Sequence, residues 1–173
     1  MQKILVHGLD DRHPHLRARV VWLARHPKPG SYFEQQMKLL PEMSDEDLPK
    51  ELSKIGYNGI ILAEGERATL MGEIYFQLLS NMEMHVFFCH VPEDFRGQDF
   101  GKLLFREFFI HADKCGCDVV RISEGGEGSE PLLHMLKLYI SGVILLKGLR
   151  VVDASEKGIG YAKLEKVNQL LPA

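Results

Sequence analysis

The sequence is short of the features that mark specialised proteins. Its 173 residues include three cysteines, Cys89, Cys115 and Cys117. An odd, small number is not a disulfide framework and suits a reducing compartment. The apolar runs are strand-sized, so no membrane span is expected. The opening run, residues 1–5, stops before His7 and is too short for a signal-peptide core. Neither sign of charge dominates. The formal net charge is −3, which argues against the broad basic surface that non-specific nucleic-acid binding needs. Internal repeats, linkers and low-complexity stretches are also missing. What remains, 45% apolar and 26% charged residues, is ordinary globular composition. One domain over residues 1–173 and a cytoplasmic location are therefore expected.

Residues 2–7 read as a strand, because Ile4 to Val6 is a β-prone run. A helix follows from His13-Pro14 and is stopped by His26-Pro27-Lys28-Pro29-Gly30. Ser31 caps a second helix through about Leu40. Ser44, with Asp47 three residues on, opens a third to about Ile55. Strands over 59–63, 69–79 and 82–91, joined by short turns, predict an antiparallel meander. A helix over 101–114 carries Leu104, Phe108 and Ala112 at four-residue spacing. A strand over 118–123, a helix over 130–140 and strands over 142–152 and 158–166 complete the order. A meander combined with a parallel crossover predicts an α+β or mixed α/β fold.

Residues 85–104 carry the chemistry. They read as a strand, a glycine-containing loop and a helix start. Such a loop aims backbone N–H groups at one spot, and the helix dipole adds partial positive charge there. Arg96 and Lys102 supply full charges, so the segment suits a phosphate. A nucleotide P-loop does not fit. Gly97 and Gly101-Lys102 are separated by three residues rather than four, and Leu103 replaces the magnesium-binding hydroxyl. The dinucleotide fingerprint Gly-x-Gly-x-x-Gly is absent as well.

Val91 followed by Arg96-Gly97-Gln98-Asp99-Phe100-Gly101-Lys102-Leu103-Leu104 resembles the acyl-CoA pyrophosphate loop of the GCN5-related N-acetyltransferases (GNAT). Arg96 and Gly101 match the first and last positions of that pattern. The strand from His85 to Val91 resembles the family's fourth strand, and the element order on both sides agrees. The resemblance implies a mostly antiparallel sheet with splayed central strands and flanking helices. It implies acetyl-CoA or another acyl-CoA as co-substrate, no metal, and direct attack by a primary amine of a small molecule or peptide. Backbone groups of Cys89, His90 and Val91 would hold the pantothenate arm as an added strand would. Backbone N–H groups of Gly97, Gln98, Asp99, Phe100, Gly101 and Lys102 would take the pyrophosphate, beside Arg96. Asp99 stands where the family has its middle glycine. A carboxylate there is expected to weaken CoA binding or to point to solvent.

A base is needed because an unperturbed amine of pKa about 10.4 is only about one part in 2,500 neutral at pH 7. His85 occupies the strand position where histone-type members carry a glutamate base, and imidazole titrates near neutrality. A hydrogen-bonded structural histidine is the other reading of His85. Glu73 and His90 are secondary candidates, with His90 expected on the opposite face from His85 by strand alternation. Tyr139 matches the family's proton donor to the leaving thiolate. A core tyrosine with a satisfied hydroxyl is its other reading. His111, Cys115 and Cys117 lack the second ligand pair of a zinc site. The loop over 124–130, with three glutamates, reads as a solvated loop or as one that attracts a cationic amine. The alternative to an enzyme is a catalytically weakened CoA-binding or partner-binding module of the same fold. No membrane partner is expected, and the oligomeric state, a homodimer included, is left open.

Overall fold

A seven-stranded sheet organises the chain, in the order β1-β2-β3-β4-β5-β7-β6. The computed structural model describes residues 3–7, 14–67, 69–122 and 129–167. The strands are β1 Lys3–His7, β2 Tyr57–Glu64, β3 Thr69–Leu78, β4 Glu83–His90, β5 Val119–Ile122, β6 Leu149–Asp153 and β7 Tyr161–Lys166. The helices are α1 Pro14–Arg25, α2 Tyr32–Leu39, α3 Leu48–Lys54, α4 Phe100–Lys114 and α5 Ser129–Ile140. All pairings are antiparallel except β4 with β5, which α4 joins as a parallel crossover. This is the expected mixed α/β class.

Two cores form because helices cover both faces. On one face, Leu104, Phe105, Phe108 and Phe109 of α4 and Leu136 of α5 pack on Ile74, Phe76, Met84, Val86, Val120 and Ile122. On the other, Val20 and Ala24 of α1, Phe33 of α2 and Leu52 of α3 pack on Tyr57, Ile61, Ala63 and Tyr75. Burying a large apolar side chain contributes roughly 1.5–3 kcal/mol, so these two layers dominate the stabilisation.

The predicted caps are realised unequally. Ser31 caps α2, its hydroxyl accepting the Glu34 N–H at 3.1 Å. Ser44 instead closes a turn, accepting from Asp47 N–H at 3.2 Å, and α3 begins only at Leu48. The strand predicted over 142–152 is also shorter. Gly142 and Gly148 adopt φ of 80° and 76°, left-handed values that no regular strand contains. Regular pairing starts at Leu149, preceded by an isolated bridge from Leu146.

Gly160 fixes the start of β7. Its φ is 83°, its carbonyl accepts the Ile122 N–H at 2.9 Å, and an added Cβ would sit 2.4 Å from the Ile122 oxygen. Neither the conformation nor the backbone contact can relax cheaply. Gly160→Ala is expected to cost roughly 3 kcal/mol or more, measured as the loss in urea-unfolding free energy. An unchanged midpoint would contradict it.

Candidate active site

Two irregularities in β4 build the site. The first is a bulge. Tyr75 pairs with Phe88 but Phe76 pairs with Val86, so Phe87 is an extra residue in β4. The second is that its described ladder with β5 is the shorter of its two. β4 pairs with β5 only from Glu83↔Val119 to Val86↔Ile122, whereas its pairing with β3 continues to Glu73↔His90. Past Val86, the edge of β4 that faces β5 has no ladder partner among the described residues. A bulge increases local twist and bends the strand, and Phe87 is inserted directly after the last described β4–β5 pair, Val86↔Ile122.

The bulge also corrects the expected placement of His90. Met84 and Val86 face α4, as do Cys89 and Val91, while Phe87 and Phe88 lie on the α1–α3 face. The extra residue reverses the alternation. His85 and His90 therefore share a face. His90 lies 6.3 Å from Phe88, ring to ring, opposite Glu73.

Glu73 is fully buried and held by Arg19 of α1, whose Nε and terminal nitrogen reach its carboxylate at 2.8–3.1 Å. The Tyr75 hydroxyl donates to the same carboxylate at 3.5 Å. Both carboxylate oxygens are thus engaged within the fold. Sequence reading missed Arg19, because nothing in the α1 pattern marks one arginine among several. Burial lowers the pKa of His90, with Glu73 opposing and Arg19 and Arg96 reinforcing the shift. Its Nδ1 is buried without a hydrogen-bond partner.

His85 sits one residue before the end of the β4–β5 ladder. Its Nε2 lies 3.3 Å from Glu83 Oε2. Burial lowers its pKa, Glu83 acts in the opposite direction, and Arg121 lowers it further. The ring is therefore neutral at neutral pH. With Nε2–H donated to Glu83, Nδ1 keeps a lone pair.

Cys89 is pushed up to about 12 by burial, with Glu73 adding to the effect. Its thiol stays protonated and is unsuited to forming an acyl-cysteine. Cys117 is likewise raised, to about 11, by burial. Cys115 Sγ lies 3.5 Å from His111 Nε2. Among the described residues no group of three or more His, Cys, Asp or Glu could hold a metal ion.

The loop leads from β4 into α4 through a short 3₁₀ turn, Glu93–Phe95. Arg96 Nε donates to the Val91 carbonyl at 3.0 Å and ties the loop to the end of β4. Gly97 and Asp99 have φ of 78° and 64°, both left-handed. Asp99 is thus a non-glycine residue where the backbone favours glycine, a conformation that Asp tolerates better than most. It is exposed and makes no side-chain cap to α4. The first α4 bond runs from Leu103 N–H to the Asp99 carbonyl, so the amides of Gly101 and Lys102 precede the helical ladder. Gln98, Gly97 and Lys102 are exposed at this end, and Phe100 is buried beneath it. Glu93, Asp94 and Asp99 offset Arg96 and Lys102 here, so attraction for an anion rests mainly on backbone N–H groups and the helix dipole.

Tyr139 is buried in α5. Its hydroxyl donates to the Lys102 carbonyl at 3.0 Å, and its ring meets Phe109 edge-on at 4.9 Å. Burial pushes its pKa up to about 12. The structure thus joins α5 to the first turn of α4 through this phenol. Of the acidic loop over 124–130, residues 124–128 lie outside the described residues, and Ser129 and Glu130 begin α5.

No protein-family model matches the sequence, and no curated protein matches it. Solved structures do. A GNAT-family acetyltransferase from Staphylococcus aureus Mu50 superposes with a TM-score of 0.53 at 9% identity, over 96% of this chain and 100% of that one. The PaiA N-acetyltransferase of Thermoplasma acidophilum, in complex with coenzyme A, gives 0.51 at 16% identity over 96% and 100%. An aminoglycoside acetyltransferase from an uncultured soil metagenomic sample, in complex with sisomicin, gives 0.52 at 13% over 78% and 85%. The chain has the GNAT fold. At these identities the likeness extends to the fold. No helix of the described residues is long and apolar enough to cross a membrane.

Proposed function

We propose that this GNAT-fold protein transfers an acyl group from an acyl-CoA thioester to a primary amine. One observation carries the reading: the edge of β4 past Val86, which has no ladder partner among the described residues, runs directly into the loop whose amides and helix dipole favour a phosphate. An extended pantothenate arm would add to that edge as a strand, leaving its pyrophosphate at residues 97–102. The amine nitrogen attacks the thioester carbonyl, the C–N bond forms, the C–S bond breaks and the thiolate leaves. His85, neutral and with Nδ1 free to accept, takes the amine proton directly or through water.

Tyr139 was expected to protonate the thiolate. A phenol near 12 would do so uphill by roughly 5 kcal/mol against a thiol of about 8.5. It would also surrender its bond to Lys102. The proposal therefore gives Tyr139 the task of holding α5 to the start of α4, and the proton that His85 takes from the amine passes through water to the thiolate, which returns His85 to its neutral form.

Acetyl-CoA at a hundredfold excess over its Kd should add about 2.7 kcal/mol and raise Tm by roughly 5–10 °C. Asp99→Gly should tighten this binding, because it removes a carboxylate beside the pyrophosphate. No shift at millimolar acetyl-CoA would overturn the proposal. Asp99 and the acids beside it favour one other reading, a CoA-binding module without turnover. A shift in Tm without thiol release against pooled amines would select it.

A further inference from the structure

The α1–α3 core packs on residues of β2, β3 and β4, and β5 and β7 lie beyond β4 in the sheet. A single row of side chains crosses this part of the sheet. Gln77, His85, Arg121 and Tyr161 pair in register on β3, β4, β5 and β7. Val120, Ile122, Ala162 and Leu164 all face α4 and α5, so alternation turns Arg121 and Tyr161 to the His85 side. The contacts agree. The Arg121 guanidinium lies 5.0 Å over the Tyr161 ring, and the same ring meets His85 edge-on at 6.4 Å.

Arg121 is unusual in its pairing. Its Nε is buried with no hydrogen-bond partner. Among the described residues its guanidinium has no carboxylate. The acid beside it, Glu83, is spent on His85. Gln77 is turned away, donating to the Ile55 carbonyl at 2.9 Å. A guanidinium packed on an aromatic ring is fixed in direction and partly desolvated, which raises the free energy of leaving it unpaired. Its planar fork matches a carboxylate.

We propose that Arg121, stacked on Tyr161, is a binding site for the carboxylate of the acceptor, which makes the acceptor an amine that carries a carboxylate, of the amino-acid class. The inference rests on the acyl-transfer reading for the role of His85 beside it. Neighbouring strands lie about 4.8 Å apart, so a carboxylate on Arg121 leaves an amine one or two carbons away within reach of His85.

The test uses the full chain and no CoA. N-acetylated amino acids with the twenty common side chains are the expected products, and their C-terminal amides are matched controls without the charge. Binding is followed by calorimetry and by the ¹⁵N–¹H signal of the Arg121 Nε–H group. At least one acid is expected to bind in the millimolar range or tighter and to shift that signal. Its amide is expected to bind at least about tenfold more weakly. Arg121→Gln is expected to abolish the acid-over-amide preference, and Arg121→Lys to restore part of it. Equal binding of acid and amide by the wild-type chain, no binding of any acid, or a preference that survives in Arg121→Gln would each overturn the proposal. The wild-type comparison needs no variant to fold. Acetyl-CoA stabilisation with no acid preference sinks this inference alone, whereas acid binding without acetyl-CoA stabilisation sinks the acyl-transfer reading alone.

Discussion

Arg19→Ala is expected to remove about 3–5 kcal/mol of stability, because it leaves the Glu73 carboxylate buried without its cation. Glu73 has no exposed surface, and Arg19 bonds both of its oxygens. What would remain is the Tyr75 hydroxyl at 3.5 Å, a long bond. For a chain of this size the loss corresponds to a fall in Tm of roughly 10 °C. The cost belongs to the orphaned charge rather than to the net value of the pair. Arg19→Met combined with Glu73→Leu should therefore be much less damaging than Arg19→Ala, because an ion pair replaced by packed apolar groups often loses little. Urea unfolding of both variants checks this. If Arg19→Ala unfolds at the wild-type midpoint, or if the double variant is the worse of the two, the account of this cluster is wrong. The outcome bears on function as well, since the pair clamps α1 to β3 beside His90 at the end of β4.

His85→Ala is expected to lower kcat for acyl transfer by about 10²–10⁴-fold, the usual contribution of a positioned base, while acetyl-CoA still raises Tm. The pH profile gives the second signature. Burial holds the His85 pKa below its ordinary 6.5, so the neutral, proton-accepting form persists through neutrality. In the wild type kcat/KM should stay level around pH 7 and fall on the acid side of 6.5. His85→Ala should lose that acid limb. The same shift affects stability. The unfolded chain binds a proton near pH 6.5, whereas folded His85 and His90 resist doing so. Stability is thus full above 6.5 and is lost as pH falls from there through the lower folded values. A kcat for His85→Ala within a few-fold of wild type would remove His85 from the mechanism. Unfolding free energies that rise on acidification through this window would contradict the buried-neutral description of both histidines.

Much of this site was legible in the chain. The β4–loop–α4 order follows from a β-prone run, a Gly97-to-Gly101 loop and four-residue apolar spacing, all local signals. The left-handed φ at Asp99 is local too, because the resemblance placed a glycine there. The face of His90 was not legible. Phe87 and Phe88 are both apolar, so the sequence carries no mark of which one is the extra residue, and a one-residue bulge reverses every side chain after it. The Tyr139 hydroxyl could be placed inward from helical spacing, but its acceptor is a backbone carbonyl 37 residues away. Arg19 and Glu73 are 54 residues apart, and no spacing rule connects them.

The sequence by itself determined the periodicities and punctuation, and with them the element order, the mixed α/β class and the phosphate-suited loop. Only the tertiary structure decided which charges are satisfied. Arg19 and Arg121 are the same residue type in elements that the sequence locates equally well. One meets a buried carboxylate brought to it by the packing of α1 on β3. The other is stacked on Tyr161 and has no carboxylate partner among the described residues. That difference comes from long-range packing, which local propensity and spacing do not encode.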